Sequence, residues 1–186
     1  MNETSEKQAL LVMDVQPGVL SRVANPDEYL GKVKQAVEAA HRHHVQVIYV
    51  IVGFRPGFPE VSARNKSFGA IKESALAGMI EPRPVIDPVE GDLVVVKRRV
   101  SAFTGSDLEV VLRGREIRHL VLAGIATSGV VLSTTREAAD KDFRLTILSD
   151  LCADADPQVH AVLIEKLFPR QAAVMTGADW EKTLGS

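Results

Sequence analysis

Asp14 closes the apolar run LLVM and Lys97 closes the run LVVV, so each sets a charge at the end of a stretch that otherwise avoids water. A charge in such a position needs a partner or a route to solvent. Asp14 and Lys97 are natural partners for one another. Burial raises a carboxyl pKa toward the range of a working acid or base, and a neighbouring ammonium lowers it again. The plainer readings are an Asp that binds local backbone in the Gln-Pro-Gly turn after it, and a Lys whose stem lies along the core while its head reaches water. A third locus is Leu120 to Asp140, LVLAGIATSGVVLSTTREAAD, which reads as a buried strand, a Gly-bounded turn and a helix. The first amides of a helix have no partner inside it, so a turn of this kind can hold an oxyanion or a phosphate. It carries no strong nucleophile where such a turn would present one.

The elements that must position these residues follow from the hydrophobic pattern. Continuous apolar runs at Ala9 to Met13, Val45 to Val52, Leu93 to Val96, Leu120 to Ala123, Leu145 to Leu148 and Ala172 to Met175 suit strands buried on both faces. Helical patterns lie between them at Pro26 to His43, Ser67 to Gly78, Ser106 to Arg113, Ser128 to Lys141 and Pro157 to Phe168. Asn25 before Pro26 and Asp156 before Pro157 predict two capped helix starts with a first-turn proline. The alternation predicts the α/β class, a three-layer α-β-α sandwich around a mostly parallel sheet. Ligands of such open sheets gather beyond the carboxyl ends of the strands. The residues to inspect are therefore Asp14, Phe54, Arg55, Lys97 and the Ile125 to Val130 turn, with Asp150 behind them. The connections Gly53 to Lys66 and Ile80 to Asp92 are long and rich in Pro and Gly, as loops that shape a site often are.

In this order, DVQPG at Asp14 to Gly18, KRRVSAFTGSDL at Lys97 to Leu108, AGIATSGVVLSTTREAAD at Ala123 to Asp140 and SDLCADADPQVH at Ser149 to His160 resemble the isochorismatase-like, or cysteine hydrolase, family. The resemblance covers nearly the whole chain. It implies a Rossmann-type six-stranded sheet, hydrolysis of small amides, carbamoyl compounds or a vinyl ether, and assembly as a homodimer or larger homo-oligomer. By the same resemblance Asp14 is the proton-transfer carboxylate and Lys97 the cation that orients it. The family's cysteine position falls on Val130, which can neither attack a carbonyl nor ionise, so the acyl-enzyme route lacks its nucleophile. The resemblance further implies a cis Ile125–Ala126 peptide that turns the amides of Ala126 and Val130 toward an oxyanion.

Other residues answer the gap poorly. Thr127, Ser128 and Ser133 are hydroxyls that need a base within reach, and Ser133 is displaced along the helix from Val130. Cys152, the one cysteine of the chain, reads as a packing residue and excludes an internal disulfide. The resemblance implies no metal, since members of the family that bind one place an Asp and two His in the loop after the second strand, and here that loop, FRPGFPEVSARNKSF, has no histidine. No cofactor is expected either. His41, His43 and His44 read as cations at a helix C-terminus, and His119 and His160 as isolated surface or cap residues. Arg55, Arg64 and Arg99 are possible carboxylate ligands, and Phe54, Phe58 and Phe103 possible pocket walls with core packing as the alternative. Thr127 and Ser128 complete the substrate-binding candidates.

With 186 residues, 46% of them hydrophobic, the chain suits one domain over 1–186. A net charge of -2 without a basic stripe excludes nucleic acid as the expected partner. The apolar runs are too short to cross a bilayer, and Met1 to Lys7 lacks the basic flank of a secretory signal, which predicts a cytoplasmic protein. The resemblance implies that its partner is a small molecule. Three functions remain: a hydrolase working through Asp14 and Lys97 without covalent catalysis, a binding module that turns nothing over, and a covalent hydrolase with a displaced nucleophile such as Ser128.

Overall fold

The computed structural model describes residues 6–73 and 82–185. The strands are β1 (Gln8–Met13), β2 (Gln46–Val52), β3 (Leu93–Lys97), β4 (His119–Ile125), β5 (Arg144–Ala153) and β6 (Ala173–Met175). They form one sheet in the order β3-β2-β1-β4-β5-β6 with every neighbouring pair parallel. The strands are laid down outward from β1, with β2 and β3 to one side and β4, β5 and β6 to the other, so the winding order reverses beside it. The crevice at that switch point is where an open parallel sheet accepts a ligand. Asp14 follows β1 and the Ile125 to Val130 turn follows β4, so both stand at it.

Helices cover both faces because successive strand residues point to opposite sides and both sides are apolar. On one face Leu11, Met13, Ile48, Val50, Leu120, Leu122 and Ile147 pack under α4 (Leu108–Gly114) and α5 (Leu132–Asp140). On the other, Leu10, Val12, Tyr49, Val121 and Leu148 meet Tyr29, Val33, Ala36, Val37 and Ala40 of α2 (Pro26–Arg42) and Trp180 of α7 (Gly177–Leu184). Each fully buried Leu, Ile or Val contributes about 1.5–3 kcal/mol by leaving water. Two such layers hold the sheet rigid beneath its loops.

Several boundaries differ from the sequence reading for local reasons. β5 continues past Leu148 to Ala153, because a register shift between Leu122 and Gly124 lets Cys152 and Ala153 pair with Gly124 and Ile125. Asp150 is therefore inside a strand, where its Oδ1 accepts the Gly177 N–H at 2.8 Å and ties β5 to α7. α7 itself was not expected, although Thr176 caps it by accepting the Asp179 N–H at 3.1 Å. The short helix α1 (Pro17–Leu20) takes the place of the expected Gln-Pro-Gly turn. Asp156 caps α6 (Pro157–Val162) through Gln158 and Val159, whereas Asn25 stands at the start of α2 with no side-chain bond. The stretch expected to run helically to Phe168 does so, widening to π-type geometry over Leu163–Leu167. The helix expected from Ser67 is α3 (Lys66–Glu73); its continuation to Gly78 and the first residues of the connection from Ile80 lie outside the described residues.

Candidate active site

β1 delivers Asp14 with its amide still in the sheet, donating to Val50 O at 2.8 Å, and then turns sharply. Asp14 has φ +56°, a left-handed conformation that Asp tolerates better than most side chains, and Gln16 N returns to Asp14 O at 2.9 Å. The backbone thereby tips the carboxyl sideways, toward the end of β3. Gln16 fixes the turn by mimicking a strand residue, with Nε2 donating to Val52 O at 3.1 Å and Oε1 accepting Val52 N–H at 2.7 Å.

Lys97 reaches Asp14 from the edge strand β3, and its Nζ meets Asp14 Oδ2 at 2.9 Å. The same ammonium donates to Arg99 O at 2.9 Å and Val100 O at 3.1 Å, so its three protons are all engaged. Lys97 is 1% exposed and Asp14 8%. Burial pushes the Asp14 carboxyl up to about 6, and the Lys97 ammonium holds it from rising further. Its other oxygen, Oδ1, is buried and accepts no hydrogen bond among the described residues. A buried oxygen left open at a cavity wall is costly unless something else is to meet it.

That cavity measures about 360 Å³. Asp14 and Lys97 line it together with Val19, Arg22, Val52, Phe68, Ile71 and Val100, and with Ile125, Ala126, Ser128, Gly129 and Val130 from the turn after β4. The Ile125–Ala126 peptide is cis. A π-type turn, Thr127–Val131, leads from it into α5. Ala126 O accepts the amides of Gly129 at 3.0 Å and Val131 at 3.3 Å and passes over that of Val130 between them. Asp154 braces the turn from β5, its Oδ2 accepting Ser128 N–H at 2.7 Å.

The other expected site residues are placed differently. Thr127 is wholly buried and its hydroxyl meets His160 Nδ1 at 2.8 Å, so it is a strut between the turn and α6 and does not line the cavity. His160 is correspondingly not an isolated cap residue. Phe54 stacks on Phe58 at 5.2 Å and meets Phe68 edge-on at 5.5 Å between ring centres, and of these three only Phe68 reaches the cavity. Arg55 is exposed and paired with Glu60 at 2.6 Å. Arg99 donates to Arg98 O and Glu60 O, at 2.6 and 2.7 Å. Phe103 is core, packed against Phe143 at 5.9 Å. Cys152 is 5% exposed in the core, where burial pushes its thiol up to about 12, far from a reactive thiolate. His119 is half-buried on Thr146 Oγ1 at 2.9 Å, and burial lowers its pKa to about 4. Arg22 and Asp154 were missed, both lying in polar stretches without periodicity to mark them.

A larger groove, about 890 Å³, opens at the opposite end of the sheet. Two polar pairs close within its lining: His41 Nε2 meets Asp92 Oδ1 at 2.8 Å and Arg115 donates to Gln46 Oε1 at 2.7 Å. Size alone does not single it out, because among the described residues neither of the buried side-chain atoms without a partner, Asp14 Oδ1 and Tyr49 OH, belongs to its lining.

A buried Asp-Lys pair lies below a strand-to-helix turn at the switch point of a parallel sheet, and together they define a three-layer α/β protein with a cavity of small-molecule size there. The isochorismatase domain model matches residues 8–179, and the chain belongs to the isochorismatase family of hydrolases. It is 30% identical over 172 residues to an uncharacterized isochorismatase family protein, YwoC, of Bacillus subtilis, covering 91% of this chain and 90% of that one. It is 31% identical to the ureidoacrylate amidohydrolase RutB of Stutzerimonas stutzeri, covering 91% of this chain and 75% of that one. An isochorismatase family protein of Burkholderia thailandensis superposes with a TM-score of 0.81 at 27% identity, over 97% of this chain and 96% of the other. Among the described residues no helix is long and apolar enough to cross a membrane.

Proposed function

We propose that the chain hydrolyses a small molecule at a vinyl ether or C–N bond, with Asp14 as the proton donor and no covalent intermediate. The observation that carries this reading is the divided state of one carboxyl group: Oδ2 held on Lys97, Oδ1 buried, open and at a cavity wall, with the pKa raised to about 6. Because Lys97 occupies Oδ2, the proton of the acid form resides on Oδ1. A desolvated acid with a pKa near neutrality is suited to protonating a leaving group or a vinyl carbon. At a vinyl ether the proton goes to carbon, water adds to the resulting oxocarbenium ion, the water's proton returns to the Asp14 carboxylate and the alcohol side departs as the hemiketal collapses. At a C–N bond water adds to the carbonyl carbon, the amides of Ala126 and Val130 stabilise the oxyanion, the amine leaves with the proton from Asp14, and the carboxylate takes up the proton of the water. Val130, in the position that the family resemblance gives to cysteine, adds apolar wall and no nucleophile.

The test is a panel of amides, carbamoyl compounds and vinyl ethers turned over by the wild type and by Asp14→Asn. Turnover lost in Asp14→Asn, with the fold retained by circular dichroism, is the expected result. Turnover that survives the change removes Asp14 from the mechanism. Val130→Cys sets a thiol at the cavity wall and should create or raise amidase activity if the rest of the frame is catalytic.

Two observations favour a binding module instead: Val130 stands at the cavity wall in the turn, and the Cys152 thiol is locked in the core. In that case ligands bind without turnover, and Asp14→Asn changes affinity only.

A further inference from the structure

Four charged side chains line the cavity among the described residues: Asp14, Arg22, Lys97 and Asp154. Three of them are already committed. Lys97 spends its protons on Asp14 Oδ2 and the carbonyls of Arg99 and Val100, which leaves it none for a ligand. Asp154 accepts Ser128 N–H through Oδ2 at 2.7 Å and Asp156 N–H through Oδ1 at 3.2 Å. These bonds hold its carboxyl below the usual range, so it stays an anion in the service of the turn. Arg22 differs from all three. It sits in the short link between α1 and α2, exposed at the cavity, and no carboxylate pairs with it among the described residues.

We infer that Arg22 is the specificity-determining residue of the cavity and that it selects a substrate bearing a carboxylate. The inference rests on the reading of this cavity as the reaction site and adds the class of molecule. A guanidinium offers a planar fork that matches a carboxylate in two parallel hydrogen bonds, stronger than those of a neutral amide. Asp14 lies buried at the wall and Arg22 exposed, so the carboxylate is held on the solvent side and the reacting bond lies deeper. Val19, Val52, Phe68, Ile71 and Val100 line the remaining wall and suit a short apolar or conjugated body. Arg55, Arg64 and Arg99 are excluded from this task by position, since none of them lines the cavity.

The experiment measures binding separately from turnover. Ureidoacrylate, nicotinate and benzoate are each titrated against the full-length protein beside the matching carboxamide, with wild type, Arg22→Gln, Arg22→Lys and Asp14→Asn. At least one acid should bind about tenfold more tightly than its amide, the scale of one charge-assisted pair. Arg22→Gln should erase that preference, and Arg22→Lys should restore part of it. For any acid that is turned over, the Arg22→Gln loss falls on KM more than on kcat. A preference that persists in Arg22→Gln, or acids that all bind no better than their amides, overturns the inference. Acid binding through Arg22 without Asp14-dependent turnover upholds it while refuting the hydrolase reading. Asp14-dependent turnover of amides, indifferent to Arg22, does the reverse.

Discussion

In the proposed reaction a single carboxyl group, that of Asp14, sets the pH behaviour of the site. If Asp14 acts as an acid, only its protonated form works, and with a pKa of about 6 the value of kcat/KM should be level below pH 6 and fall about tenfold per pH unit above it. A rate that rises through the same range would make Asp14 a base. Lys97 holds the Asp14 pKa down, so Lys97→Met should move the descending limb to higher pH in the same profile. Asp14→Ala, by contrast, strands a buried ammonium, and such a loss costs about 3–5 kcal/mol in urea denaturation. Asp14→Asn should cost less, since it keeps the shape and a polar oxygen. Asp14 and Lys97 were legible in the sequence because a charge that ends an apolar run has few ways to be satisfied. Arg22 was not, because an Arg in SRVANPDEY looks like any solvated Arg until the fold sets it beside a cavity.

Among the elements, the junction of β1 and β4 governs the geometry of the site. Gly124 pairs with Met13 across it, and a Cβ at Gly124 would fall onto the Met13 carbonyl oxygen, which is backbone and cannot swing away. Gly124→Ala should therefore cost about 1–3 kcal/mol of stability by overpacking and shift the turn that follows. Thermal unfolding reads the first effect, and the chemical shifts of the Ser128 and Val130 amides read the second. The strand runs and most helices were visible as apolar periodicity. The extension of β5, the π-type turns and α7 were not, because each depends on pairing or capping partners that periodicity does not encode.

Across the whole molecule, the two faces of the sheet are filled and the buried titratable groups oppose one another in pH. His119 has its pKa lowered to about 4 by burial, so the folded state binds fewer protons than the unfolded one between about 4 and 6.5. Its contribution to stability is present above 6.5 and lost as pH falls through 4. For Asp14, raised to about 6, the contribution is present below about 4 and lost as pH rises through 6. The melting temperature of His119→Gln should accordingly fall less steeply than that of the wild type between pH 6.5 and 4; equal slopes would remove His119 from the acid sensitivity.

The sequence by itself determined the α/β class, the parallel sheet and the two charges at its strand ends, because burial on both faces writes continuous apolar runs and makes any charge within them conspicuous. The tertiary structure alone decided that Lys97 has no proton left for a ligand, that Asp14 keeps one oxygen open, and that Arg22 lines the same cavity while Arg55 turns away to Glu60. Those outcomes depend on which groups meet across three strands and two loops, and contacts between residues far apart in the chain leave no local pattern.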